Sequence, residues 1–182
     1  MHQKNYFIFT YISDYDRDYI KNLDKNVNLI FRNYSIAANA SKLKKLKDFC
    51  KANNRKVYLS NNLNLALTLK FDGVYNPSFN KKINFTQNKK IKNFKIIGSA
   101  HNISEIRIKE KQGVDMIFIS PLFKVYKSKN FLDVLKFNKL ALSTNKEVIA
   151  LGGINKFNIK KLNDLRINGF SGISYFHKKK AP

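Results

Sequence analysis

The chain has 182 residues, of which 43% are hydrophobic and 13% aromatic, so it can bury a substantial core and is not a disordered polypeptide. Its 35 Lys and Arg residues against 12 Asp and Glu residues give a formal charge of +23, which attracts polyanions and keeps nucleic acid among the possible partners. The single cysteine, Cys50, excludes an internal disulfide, and no apolar run reaches the length of a membrane span.

The basic residues are dispersed along the chain rather than gathered in one segment. The runs "KLKKLK", "NKKIKNFK" and "HKKK" begin at residues 42, 88 and 177, with core-type sequence between them. A solvated lysine coat is therefore an alternative to a nucleic-acid surface, and charge alone does not choose between them. Any binding of nucleic acid is expected to be non-specific.

Short apolar runs recur along the chain and predict the strands. Most of them are apolar on both faces, as in a parallel sheet that is covered on both sides. The first run is too short for a secretory signal and is followed by acidic residues, so we expect a cytoplasmic protein. The eight predicted strands span 6–12, 27–34, 56–61, 73–77, 95–101, 116–123, 147–153 and 172–176.

Apolar residues at helical spacing predict helices between these strands. Ser13 is a candidate cap for the first helix, and a charged helix follows the fifth strand as far as Gln112. The segment 78–94 is polar and lysine-rich, which predicts a weak fourth helix, and only "HKKKAP" follows the last strand. The apolar faces comprise Tyr15, Tyr19 and Leu23; Leu43, Leu46 and Cys50; Leu63, Ala66 and Leu67; Val134, Phe137 and Ala141; and Leu162 with Leu165.

Eight strands that alternate with helices predict a small (β/α)₈ barrel, or TIM barrel, in preference to an open doubly wound sheet. We expect residues 1–182 to form this barrel as a single α/β domain, with a weak fourth helix and a missing eighth helix. The side of the barrel left uncovered would suit self-association, so a homodimer is a possible assembly.

Two glycines, Gly152 and Gly153, follow the seventh predicted strand in the stretch "ALGGIN". In such barrels, ligands lie at the carboxyl ends of the strands, and phosphate often rests on the loops after strands seven and eight. Residues without a Cβ let an anion approach the main chain, and a helix capped by Asn155 would supply free amides. With Ile173 and Ser174 of the last strand, the glycines predict a phosphate site, for which an ordinary turn is the alternative.

Several segments resemble, in order, the motifs of the thiamine phosphate synthase and thiazole tautomerase family. The resemblance covers most of the chain and is strongest from about residue 95 to residue 176. The resemblance depends on the order in which the motifs occur, since no single motif is decisive. The segments are "LIFRNYS" (29–35), "LSNNLNLALTLKFDGVY" (59–75), "IIGSAHNISE" (96–105), "GVDMIFISPLF" (113–123), "VIALGGIN" (148–155) and "GFSGIS" (169–174).

The resemblance implies a transferase of thiamine biosynthesis. Such an enzyme joins an aminopyrimidine pyrophosphate to a thiazole phosphate, and it releases pyrophosphate as thiamine phosphate forms. It implies phosphate and pyrophosphate esters as small-molecule partners, and no membrane. Because the reaction passes through a pyrimidine cation, the leaving pyrophosphate must be neutralised, which Mg²⁺ held by carboxylates does in the family.

The chain departs from this pattern at the expected magnesium ligands. Asn61 and Asn80 stand where the resemblance implies aspartates, which removes most of the attraction for a dication. Mg²⁺ is thus implied by the family, whereas the residues present predict no metal ligand. Arg32 matches a basic residue of the family, and lysines after the sixth strand could stabilise the leaving group electrostatically. The candidate catalytic residues are Arg32, Lys127 and Lys129, with Lys124 as a further cation of the same loop.

The phosphate half of the implied site is better preserved. Gly152, Gly153 and Ser174 match the region that holds the thiazole phosphate. Ser99 and His101 resemble the serine-x-histidine motif of the family. Pro121 stands where the tautomerase branch has a catalytic histidine, so tautomerase chemistry is disfavoured. The predicted phosphate-binding residues are Gly152, Gly153, Ile173 and Ser174, and the predicted substrate pocket comprises Asn61, Asn80, Ser99, His101 and Pro121.

Three functions remain open from the sequence. The first is a divergent synthase in which lysines replace part of the metal charge. The second is a non-catalytic homologue that binds a phosphate ester and has lost the magnesium–pyrophosphate site. The third is a basic barrel that binds nucleic acid, whose affinity would fall steeply with salt.

Overall fold

Eight parallel strands close into a barrel in the computed structural model, which describes residues 4–9, 17–34, 39–83, 91–126 and 130–176. The strands pair in chain order, and the last pairs with the first, so the predicted barrel is confirmed. The strands are β1 (Lys4–Phe9), β2 (Val27–Phe31), β3 (Val57–Ser60), β4 (Gly73–Asn76), β5 (Lys95–Ala100), β6 (Met116–Ile119), β7 (Glu147–Leu151) and β8 (Gly169–Gly172).

Helices cover the outside of the barrel. Leu43, Leu46 and Cys50 are buried on one face of the second helix, as predicted. Within the described parts of the connection between β4 and β5, 77–83 and 91–94, there is no helix. The helices are α1 (Arg17–Asn22), α2 (Ala40–Ala52), α3 (Leu63–Thr68), α4 (Ile103–Lys111) and α5 (Asp133–Ala141), and a 3₁₀ helix (Ile159–Asp164) follows β7.

Some predictions on the helices have a different outcome. Ser13 and Tyr15 lie outside the described residues. The helix predicted through Leu162 and Leu165 is the short 3₁₀ helix, although both leucines are buried as expected. Among the helices that the structure describes, none has the length and apolar character needed to cross a membrane.

The barrel has two apolar clusters because side chains alternate along each strand and both faces are covered. In β1, Tyr6 and Ile8 belong to the inner cluster, whereas Phe7 and Phe9 belong to the cluster beneath the helices. The inner cluster is strongly aromatic: the Tyr6 hydroxyl lies 3.0 Å from the Met116 sulfur. The rings of Tyr6 and Phe118 meet edge to face at 5.0 Å. These side chains therefore fill the barrel interior that the structure describes.

The eighth strand begins three residues before the predicted 172–176 segment. Gly169 lies so close to β1 that an added Cβ would be 1.7 Å from the Lys4 carbonyl oxygen, a contact that only glycine permits. Residues 173–176 form a turn instead of a strand. In that turn the Phe176 ring stacks on Phe170 at 5.5 Å. The apolar residues that suggested a strand therefore pack against the outer wall of the barrel.

Several other strands end earlier than predicted. The strands β2, β6 and β7 end at Phe31, Ile119 and Leu151. The residues beyond them form loops, in which single backbone hydrogen bonds still join neighbouring segments. The Leu122 amide, for example, donates to the Leu151 carbonyl over 2.9 Å. The predicted strand residues 10–12 lie outside the described residues.

A cavity of about 290 Å³ lies on the outer wall where β8 meets β1, next to the 3₁₀ helix. This is the side of the barrel on which the sequence predicts self-association, and a homodimer stays a prediction. The cavity is lined by Asn5, Asp24, Val27, Ile159, Leu162, Asn163, Phe170, Tyr175 and Phe176.

Candidate functional site at the mouth of the barrel

The carboxyl ends of all eight parallel strands meet at one end of the barrel, which we call the mouth. Every predicted site residue that the structure describes lies at the mouth, in a loop after a strand or near a strand's last residue. Lys127 and Lys129 lie outside the described residues, whereas Lys124 is described and exposed. The described loops of the mouth are 32–34, 61–62, 77–83, 101–102, 120–126, 130–132, 152–158 and 173–176.

These described loops contain no aspartate or glutamate. The carboxylates nearest to them in sequence, Glu105 and Asp133, lie in the first turns of α4 and α5. An anion that approaches the mouth therefore meets cations and amides without opposing carboxylates in the described loops. The basic residues of the described loops are Arg32, Lys81, Lys82, Lys124 and Lys156.

Asn61 and Asn80 bind each other directly. The Asn80 side-chain amide donates to Asn61 Oδ1 over 2.7 Å. Asn61 has a left-handed backbone, with φ of 56°, and its own N–H donates to the Tyr75 carbonyl. Asn80 Oδ1 in turn accepts the Lys82 N–H over 3.0 Å. The two loops after β3 and β4 are thus joined by neutral groups.

This donor set does not fit a dication such as Mg²⁺. Two carboxylates at the same separation would repel each other unless a cation lay between them, whereas two amides satisfy each other and supply no net charge. Across the described residues, no group of three or more His, Cys, Asp or Glu side chains is arranged to hold a metal ion.

Polar side chains form the inner end of the mouth, above the aromatic interior. Tyr75 is buried, and Ser99 and Arg32 are its polar neighbours. Burial raises the pKa of Tyr75, despite these two neighbours, so its hydroxyl remains a neutral donor. Ser60 Oγ is buried nearby along the barrel and finds no partner among the described residues. These groups offer hydrogen bonds to a ligand that enters from the mouth.

His101 is fixed by the end of β6. Its Nδ1 lies 2.7 Å from the Ser120 carbonyl oxygen and 3.2 Å from Ser120 Oγ. Because a carbonyl only accepts, we assign the proton to Nδ1, which leaves Nε2 for a ligand. The His101 backbone N–H donates to the Glu105 carboxylate over 2.7 Å. The geometry suits a residue that orients a ligand, next to Pro121 on the neighbouring strand's loop.

Gly152 and Gly153 are required by the backbone conformation and by the close packing of the loop after β6. Their φ angles are +97° and +72°, in the left-handed region. An added Cβ would lie 2.8 Å from Pro121 Cα at Gly152, and 2.6 Å from the Phe123 carbonyl oxygen at Gly153. The close approach that the sequence assigned to an anion is therefore made by the loop after β6. Within the described residues, neither glycine amide donates to a protein acceptor, so both remain available to a ligand.

No α-helix starts directly after these glycines, contrary to the sequence prediction. Asn155 Oδ1 does accept the N–H groups of Phe157 and Asn158, over 2.9 Å and 3.2 Å. It closes a turn, however, and the 3₁₀ helix begins only at Ile159. Ile173 and Ser174 lie exposed in the turn after β8. Among the described residues, no hydrogen bond joins them to the glycines.

Sequence reasoning missed a buried polar cluster behind the mouth. Asn76, Lys109 and Gln112 are each 0% exposed. The helical spacing could have indicated that Lys109 is buried. It follows Ile106 by three residues and so lies on the face of α4 that packs against the barrel. A second missed feature is the edge-to-face contact of Tyr34 with Phe79 at 5.2 Å on the rim.

The closed parallel barrel defines a (β/α)₈-barrel protein, a class in which ligand sites lie at the carboxyl ends of the strands. The model of the family described as thiamine monophosphate synthase matches residues 24–176. The chain belongs to this thiamine monophosphate synthase family.

Two relatives and two solved structures illustrate the similarity. A thiamine-phosphate synthase of Prochlorococcus marinus is 35% identical over 134 residues, which are 72% of this chain and 38% of the relative. A putative thiamine-phosphate synthase 2 of Aquifex aeolicus is 29% identical over 126 residues, 65% of this chain and 64% of the relative. The matched part of the chain thus spans less than two thirds of each of these relatives.

The solved structures share the fold. A thiamine phosphate pyrophosphorylase from Pyrococcus furiosus superposes with a TM-score of 0.74 at 20% identity, over 94% of this chain and 85% of that one. A citrate synthase, SbnG, gives a TM-score of 0.67 at 14% identity, over 94% of this chain and 87% of that one. Because proteins of different named activities share this barrel, function must be argued from the mouth.

Proposed function

We propose that this chain is a thiamine-phosphate synthase that neutralises its leaving group with basic side chains rather than with carboxylate-held magnesium. The observation that carries this proposal is the mouth itself, whose described loops present five basic residues and no carboxylate. The names of the relatives supply the reaction class. The expected substrates are an aminopyrimidine pyrophosphate and a thiazole phosphate.

In this reaction the bond between the pyrimidine methylene carbon and the pyrophosphate oxygen breaks, and the oxygen keeps the electron pair. The thiazole nitrogen then donates its lone pair to the methylene carbon, which gives thiamine phosphate and free pyrophosphate. Arg32, at the inner end of the mouth beside Tyr75, is positioned to stabilise the charge that develops on pyrophosphate. Lys124, Lys127 and Lys129 are proposed to act with it.

The thiazole phosphate is proposed to bind at the opposite side of the mouth. The free amides of Gly152 and Gly153 would donate to its oxygens, with Ile173 and Ser174 on the neighbouring loop after β8. His101 Nε2 and the Ser99 and Tyr75 hydroxyls would orient the organic part of the substrates.

A second candidate is a phosphate-ester-binding protein without catalysis. It is favoured by the direct bond between Asn61 and Asn80, which closes the place where the family resemblance implies a metal. The phosphate half of the mouth would still bind an ester in that case. The two candidates differ in turnover and not in binding.

The test is turnover of the two substrates by the purified full chain, followed as thiamine phosphate formed, with and without EDTA. We expect turnover that EDTA leaves unchanged. The substitution R32Q should lower kcat by about 10²-fold, the usual cost of one oxyanion-stabilising group. The matched control is R107Q, because Arg107 is exposed on α4 and pairs with Glu110.

The outcomes separate the candidates. Binding of either ester by calorimetry without turnover would support the non-catalytic alternative. Growth of a thiamine-requiring strain that lacks its own synthase would support the enzyme in cells. Absence of both binding and turnover by folded protein would refute both candidates.

A further inference from the structure

A buried lysine lies beneath the loop after β4. Lys109, on α4, is 0% exposed. Its ammonium donates to the Pro77 carbonyl over 2.7 Å, to the Asn80 carbonyl over 2.9 Å and to Gln112 Oε1 over 3.1 Å. These three bonds use all three hydrogens of the ammonium, and none of the acceptors is a carboxylate.

Gln112 also binds the loop after β4. Its side-chain amide donates to the carbonyls of Asn80 and Lys82, both over 2.8 Å. Its Oε1 accepts from the Asn76 side chain over 2.6 Å. Two side chains of the α4 region therefore hold three carbonyls of the 77–82 loop, and the Asn80 carbonyl is held by both.

The barrel wall makes room for the lysine. An added Cβ on Gly98, in β5, would lie 2.9 Å from Lys109 Cδ and 3.2 Å from the Val114 side chain. The lysine stem thus crosses the strand at the one residue without a side chain. Any larger residue at this position would push the stem away from the loop.

The loop held in this way carries Asn80, whose side chain binds Asn61 on the neighbouring loop after β3 over 2.7 Å. We propose that Lys109 is a positioning residue of the mouth, because its buried ammonium fixes the 77–82 loop and so sets the Asn61–Asn80 pair. The consequence for ligand binding rests on the proposed function, whereas the consequence for the loop does not.

The charges around Lys109 are few. Glu105 lies one turn earlier on α4 and favours the ammonium. Lys81 and Lys82, on the loop, are exposed, and the neighbouring strand positions Asn76 and Gly98 carry no charge. Burial outweighs Glu105 and lowers the pKa of Lys109 to about 8. Above that pH the amine has two hydrogens for three acceptors, so one of its bonds to Pro77, Asn80 and Gln112 is lost.

The test compares wild type with K109M by hydrogen exchange and by NMR of the Asn80 side-chain amide. In K109M we expect protection of the 77–83 amides to fall at least tenfold while the amides of the strands keep theirs. The matched control is K111M, because Lys111 is exposed on the same helix and should leave the loop unchanged. G98A, which keeps the lysine but displaces its stem, should loosen the same loop.

A pH titration distinguishes positioning from general stabilisation. In wild type, the Asn80 amide signals should shift with a midpoint near the Lys109 pKa, and the shift should be absent in K109M. Loop signals that do not change between pH 7 and 9, or a K109M loop as protected as that of wild type, would overturn the proposal. If K109M does not fold, G98A and the wild-type titration still decide.

Inorganic pyrophosphate serves as the ligand probe. If wild type binds it and K109M binds at least tenfold more weakly, the lysine positions the ligand site as well as the loop. If wild type does not bind it while the loop responds as expected, the proposed function fails and the positioning role stands.

Discussion

The pair Asn61–Asn80 shows how two substitutions can be compensated at the level of single residues. Each amide supplies what the other lacks, one N–H and one oxygen 2.7 Å apart. A carboxylate in either position alone would accept from the remaining amide, whereas carboxylates in both would repel. The pair therefore joins the two loops without a cation, at the positions where the family resemblance implies acids.

We predict that N61D/N80D converts this pair into a cation site. With two carboxylates facing each other, the double variant should bind Mg²⁺ more tightly than wild type, because oxygen ligands with net negative charge attract the hard dication. Calorimetry with MgCl₂ measures it. N26D/N93D is the control, since it adds the same charge at exposed positions outside the mouth; equal Mg²⁺ binding by both variants would contradict the prediction.

The sequence identifies Asn61 and Asn80 as the positions that matter but does not predict that they touch. They are 19 residues apart, and their contact depends on the path of the 77–82 loop. That path depends on Lys109, whose charge makes it look like a solvated helix residue. Lysines are rarely fully buried, so composition and hydrophobic periodicity predict that Lys109 is exposed to solvent.

Among the structural elements, β8 closes the barrel. It pairs with β1 through Gly169, opposite Lys4, where the backbones leave no room for a side chain. The sequence predicts this strand three residues too late because Tyr175 and Phe176 are more apolar than the "GFSG" that forms it. Such short strands are specified by the fit to their neighbours more than by their own composition.

We predict that G169A destabilises the protein by at least about 3 kcal/mol, at the upper end of the cost of overpacking, since the obstruction is backbone and cannot rotate away. Urea denaturation followed by circular dichroism measures this. G172A, in the same strand, is the control: its added Cβ would come no closer than 3.1 Å to a neighbour, the Tyr175 side chain. Similar midpoints for the two variants would show that the closure tolerates a side chain.

On the scale of the whole molecule, two ion pairs of the described residues lie at the end of the barrel opposite the mouth. Acidic residues stand at or near the amino ends of strands, where Glu147 pairs with Lys4 at 2.6 Å and Asp115 with Lys95 at 3.2 Å. The described loops at the opposite end have none. The described loops of the mouth thus present basic residues without a carboxylate among them, which favours the approach of anions to these loops. A polyanion such as nucleic acid would meet the same face, with an affinity that falls with salt.

The buried lysine also predicts how global stability changes with pH. Its pKa is about 8 in the folded chain and 10.5 without burial. Between these values the unfolded chain retains a proton that the folded chain has released, so the free energy of unfolding rises with pH. Release of the proton removes a buried charge and so stabilises the fold, although Lys109 then makes one hydrogen bond fewer.

We expect the free energy of unfolding of wild type, relative to K109M, to grow by about 1 kcal/mol between pH 8 and pH 9. Urea denaturation of both proteins at several pH values measures the difference. Burial raises the pKa of the Cys50 thiol to about 12, which acts in the opposite direction but equally in both proteins. A difference that stays constant or shrinks across this range would contradict the prediction.

The cluster of Gly98, Lys109 and Gln112 restricts the mutational routes open to this chain. An apolar residue at 109 would remove the ammonium that donates to the Pro77 and Asn80 carbonyls, and a methyl group at 98 would collide with the lysine stem. Each single step is harmful, whereas exchanging the cluster together with its loop need not be. Descendants of this chain should therefore inherit these positions as a block, and laboratory evolution should find strong epistasis among them.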